Sequence, residues 1–224
     1  MRFLHCVHAE YALVLPRLSR TRLGLSLLSL ACALIWLSRR GFDATTVALQ
    51  AGALASVIGA GGMAASRRDR ATLTIALAHP TTPLAIALGR WLAVSVPAVL
   101  LVISCELATG WHAGLMLAGI AAAAAVGGCT LAAVLVAGRT AAAALFLFMA
   151  VAGAVAPERL VDLAHPGLVR LAAASALELG PALWHYRDIQ AGDAGAVLHA
   201  LAWSGLGVLV SGMAINGRRA GLRR

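Results

Sequence analysis

Three groups of side chains in this sequence could do chemistry. Near the N-terminus, His5, Cys6 and His8 lie close together. His5 and His8 are three apart and share a helical face, as a metal pair would. A closed zinc site needs four ligands, and no further ligand follows nearby, so no metal is expected. The second group is Glu106, Glu178 and His199, which sit in or beside apolar runs. Acids inside a bilayer are often functional. Both glutamates, however, fall near the ends of their runs, where a carboxylate reaches headgroup water, and His199 is expected to hydrogen-bond within a helix bundle. The third group is the charge cluster Arg67, Arg68, Asp69 and Arg70, at the head of a short helical pattern. Its chemistry is recognition of another protein. The sequence contains no GxxxxGK[ST] loop, no HExxH, no GxSxG and no paired-carboxylate motif. A non-catalytic chain without a cofactor is therefore expected.

The elements that position these groups are membrane helices. The chain has 224 residues, 61% of them hydrophobic and only 12% charged, against about 25% charged in a soluble domain. Apolar runs of roughly the 20 residues needed to span a bilayer recur along it. They are long and alanine-rich, so they read as helices and not as barrel strands. The net charge is +9, and every basic residue is arginine. The arginines cluster at the ends of apolar runs, which points to topology and lipid headgroups and away from nucleic acid. The cysteines Cys6, Cys32, Cys105 and Cys129 form no CxxC pair and read as buried thiols. No cleavable signal peptide is evident.

The fold class expected is an all-α integral membrane protein, a single transmembrane domain over residues 1–224 with six transmembrane helices. Residues 3–15 are too short to span and form an N-terminal interfacial helix that ends at Pro16; with the basic turn it covers 1–22. The spans are expected at about 23–38, 45–65, 91–108, 114–137, 141–156 and 196–215. The second carries Gly52, Ser56 and Ala60 at four-residue spacing, a pattern that lets helices approach closely, within the chain or at a subunit interface. Pro97 is expected to kink the third span, and Gly138-Arg139-Thr140 to form a tight turn. Residues 157–193 mix prolines and acids and read as short re-entrant or surface helices before span six. Six spans place both termini on one side. With that side cytoplasmic, all arginines fall inside except Arg39, Arg40, Arg159, Arg170 and Arg187, as the positive-inside rule requires.

The stretch 66–90 lies between spans two and three. Its first half reads as a short helix with Leu73 and Leu77 on one face. Arg67, Arg68 and Arg70 oppose the helix dipole at its N-terminal end, so helix stability does not explain them, whereas Asp69 and Thr72 suit that end. Pro80 and Pro83 stop the helix and redirect the chain. At these residues the sequence resembles the membrane subunits of ABC transporters of the ABC-2 exporter type. Thr72, Leu73, Pro80 and Gly89 match that family's loop pattern, while Ala71, Thr74, His79 and Arg90 stand where Gly, Glu, Thr and Lys are usual. The layout of spans and the segment Gly180 to Asp193 are also similar to the family.

What the resemblance implies is a permease in a bacterial cytoplasmic membrane. It would pair with a second permease subunit, identical or related, and dock a separate cytoplasmic ATPase. Arg67, Arg68, Asp69 and Arg70 would give charge-assisted contacts to that ATPase, Leu73 and Leu77 an apolar anchor, and Thr72 and Pro80 the shape of the coupling helix. The alternatives are a haem-exporter-type subunit of cytochrome c maturation and a membrane assembly factor that transports nothing.

Overall fold

The computed structural model describes residues 2–19, 22–63, 73, 81–110, 113–152 and 180–222. These residues form seven α-helices and one 3-10 helix, with no strand among them: α1 Arg2–Ser19, α2 Arg22–Arg39, α3 Ala44–Met63, α4 Pro83–Thr109, α5 Ala113–Ala137, α6 Arg139–Ala152, the 3-10 helix His185–Ala191, and α7 Ala194–Leu222. Four are long and apolar enough to cross a membrane, over Ala44–Gly62, Pro83–Thr109, Ala113–Ala137 and Ala194–Arg218. The chain is thus a multi-pass helical membrane protein. Phe3–Leu15, Gly24–Arg39 and Arg139–Phe148 are shorter apolar stretches.

Helix α5 is the hub. It packs against α3, α4, α6, α7 and the 3-10 helix, and it is apolar around its whole circumference, as a membrane span is. Small residues set its crossings. A Cβ on Gly52 of α3 would run into the Gly119 carbonyl of α5 and lie 2.9 Å from the Ala123 nitrogen. A Cβ on Gly207 of α7 would likewise collide with the backbone of Gly128 and Cys129. Bilayer helices gain their contact energy from such close backbone approach, because lipid gives no hydrophobic drive between them. The Gly52, Ser56, Ala60 row therefore serves packing within the chain: all three are buried, and the Ser56 hydroxyl donates to the Ala123 carbonyl at 2.9 Å.

Several boundaries differ from those the sequence suggests. Helix α1 continues through Pro16 to Ser19. Helix α4 starts at Pro83 and not near Trp91. Pro83 occupies the first turn, where a missing N–H costs nothing and a fixed φ favours helix. Thr82, in an extended conformation, ends the loop, and its carbonyl accepts from the Ala85 and Ile86 nitrogens. At 1.5 Å per residue, the 27 residues of α4 reach about 40 Å, longer than the ~30 Å hydrocarbon core. Pro97 lies inside α4, and the helix runs on past it to Gly110, whose left-handed φ of 72° closes it through a hydrogen bond to the Glu106 carbonyl. Gly138, with φ of 87°, is by itself the turn between α5 and α6; Arg139 is already helical.

Candidate functional site

The first turns of α4 carry Gly89 and Arg90. Val7, Glu10 and Val14 recur along one face of α1 at helical spacing, and all three are buried. Gly89 admits this face: a Cβ there would lie 2.7 Å from the Val7 carbonyl oxygen and 2.8 Å from the Glu10 Cβ. With the backbones so close, Arg90 Nε donates to Glu10 Oε1 at 2.8 Å. The two side chains are only 2% and 5% exposed. Burying either charge alone would cost several kcal/mol; paired, they cancel. The pair clamps the N-terminal helix to the start of α4.

Above the clamp, one apolar cluster joins Val14 of α1, Ala60 of α3, Ile86 and Val94 of α4, Leu131 and Leu135 of α5, and Val208 and Ile215 of α7. Leu73 belongs to the same cluster and is 4% exposed. Its backbone is helical. The side chain expected to face a partner is thus buried inside this chain. Arg67, Arg68, Asp69, Arg70, Thr72, Leu77 and Pro80 lie outside the described residues.

At the opposite end of the bundle, Asp43 caps α3. Its carboxylate accepts from the Thr46 nitrogen at 3.1 Å and from the Thr46 hydroxyl at 2.6 Å. Arg187 of the 3-10 helix donates to that hydroxyl at 2.6 Å and lies 3.7 Å from the carboxylate. Partial burial alone would raise the pKa of Asp43, but the Thr46 hydrogen bonds and the Arg187 charge outweigh it and hold the group below the usual carboxylate value. This lock ties the 3-10 helix to α3. Beyond it, Trp184 stacks on His185, which faces His199 at a ring separation of 5.1 Å. His199 Nε2 accepts from Trp203 Nε1 at 3.0 Å, as expected of a histidine bonded within the bundle. His5 and His8 are exposed on α1, and Glu106 sits in the last turn of α4. Among the described residues, no group of three or more His, Cys, Asp or Glu could hold a metal ion, and the four cysteines are free thiols.

Sequence reasoning missed the Glu10–Arg90 clamp. Two signals could have revealed it: a lone acid on the apolar face of an amphipathic N-terminal stretch, and a lone arginine inside the run Pro83 to Val94. Comparison with known protein families, with curated proteins and with solved structures returned no match to this chain.

Proposed function

We propose that this chain is the membrane-spanning permease subunit of an ATP-driven exporter of the ABC-2 type. In this role it pairs with a second permease subunit in a bacterial cytoplasmic membrane, both termini inside, and ATP is hydrolysed on a separate soluble chain that docks on the α3–α4 loop. The observation that carries the proposal is the position of Leu73. Among the described residues of the loop, it enters the cluster shared by α1, α3, α4, α5 and α7. A displacement of the loop by a soluble partner would therefore be felt by five helices at once, because a packed core resists local deformation. The Glu10–Arg90 clamp adds α1 to the same rigid unit.

The division of labour in the loop follows. Leu73 faces the bundle and transmits. Leu77, one turn on, shares the Leu73 face and backs the coupling helix against the bundle; Arg67, Arg68, Asp69 and Arg70 make the charged contacts to the ATPase, and Thr72 and Pro80 fix the ends of that helix. The test is capture of a soluble ABC-type ATPase from native cells with this chain, together with stimulation of its ATP hydrolysis. Arg67→Glu combined with Arg70→Glu is expected to lower both at least tenfold while the protein still extracts and melts as wild type. Undiminished capture and stimulation would overturn the coupling role.

A further inference from the structure

Helices α6 and α7 both pack on α5 but scarcely on each other. Between them runs an apolar groove of about 250 Å³, lined by Cys129, Ala132 and Val136 of α5, Phe146 of α6, and Trp203 and Val210 of α7. The small residues of α5 make its floor. From Cys129 to Val136 it extends about 10 Å along the helix axis at 1.5 Å per residue. Val136, at its end, is 66% exposed.

That end is cationic. Arg139 begins α6 one turn beyond Val136 and is exposed. Exposed Arg218 of α7 reaches back to the same place and donates to the Leu135 carbonyl at 2.7 Å. Among the described residues, the one acid at this end of the bundle is Glu10, and it is already paired with Arg90. Asp43, Glu106, Asp188 and Asp193 all belong to the opposite end by chain order.

We propose that the groove binds one acyl chain of an anionic phospholipid, with the phosphate held by Arg139 and Arg218. An apolar slot facing the bilayer core takes the chain, and two guanidiniums at the bilayer edge take the charge. Arginine at an apolar helix end is well suited to this, since its fork engages two phosphate oxygens together. This site stands apart from the coupling loop and does not depend on the ATPase proposal.

Trp203 reports on the groove. The full chain is reconstituted in phosphatidylcholine vesicles that carry a minor fraction of either phosphatidylglycerol or phosphatidylcholine brominated at mid-chain. The quenching attributable to Trp203 is the difference between wild type and Trp203→Phe. Each basic residue near a bilayer surface favours an anionic lipid about fivefold, so two predict half-maximal quenching at a roughly 25-fold lower fraction of the anionic lipid. Arg139→Gln with Arg218→Gln is expected to remove that preference with Trp203 emission and the melting temperature kept. Ala133 also lines the groove, and Ala133→Phe, which fills it, is expected to abolish quenching by both lipids. Equal quenching of the wild type by the two lipids, or an unchanged preference in the double variant, would overturn the proposal. So would a Trp203 shielded from both lipids in a protein that Val136→Cys crosslinks into dimers, because a second copy would then fill the groove.

Discussion

Replacing Glu10 by Gln keeps the size of the side chain and removes its charge. Arg90, 2% exposed, loses the carboxylate that meets it from α1. Breaking one partner of a buried pair costs about 3–5 kcal/mol. The protein can reduce that cost by undocking α1, but undocking gives up the burial of Val7 and Val14, which are 6% and 3% exposed. Full burial of such side chains is worth about 1.5–3 kcal/mol each, so the escape is no cheaper than the fault. For a chain of this size the loss corresponds to a fall in melting temperature of roughly 6–20 °C. The assay is thermal unfolding in one detergent, with hydrogen exchange along α1 to separate undocking from global unfolding. Glu10→Leu with Arg90→Met removes both charges and is expected to recover most of the loss, because apolar replacement of a buried pair is often neutral or stabilising. A single Glu10→Gln variant melting within about 2 °C of wild type would refute the reasoning, as would a double variant no more stable than either single.

Two further outcomes follow from the same packing and electrostatics. Gly52→Ala and Gly207→Ala each drive a Cβ into backbone that cannot swing away and should destabilise by about 1–3 kcal/mol, whereas Gly61→Ala and Gly205→Ala meet nothing within 4 Å and should be neutral or gain about 0.5–1 kcal/mol of helix propensity; melting in detergent distinguishes the pairs. Because the folded pKa of Asp43 is lowered, its contribution is fully present above the ordinary carboxylate pKa and is lost as pH falls through the folded value. The advantage of wild type over Thr46→Val should therefore vanish on acidification, and melts taken from neutral to acidic pH check it.

The membrane class was legible because repeated apolar runs of span length, nearly free of charge, exceed what the core of a soluble domain can enclose. The row Gly52, Ser56, Ala60 also announced a close helix crossing, though only the structure assigned it to α5 of the same chain. The start of α4 was not legible in the same way. Arg90 reads locally as a loop charge, and its burial depends on Glu10, 80 residues earlier, a pairing that no local pattern encodes. Leu73 misleads for a related reason. Spacing places Leu73 and Leu77 on one face, but it does not say whether that face meets the bundle or a partner. The α6–α7 groove is a gap between helices, and a gap between elements leaves no motif in either.

The central claim, that the α3–α4 loop docks a soluble ATPase, is tested most directly by photocrosslinking in intact cells from two positions. A photoreactive residue at Arg70 is expected to give an adduct with the ATPase, and one at Arg187, at the other end of the bundle, none. No adduct from position 70, or an adduct from position 187, would contradict it.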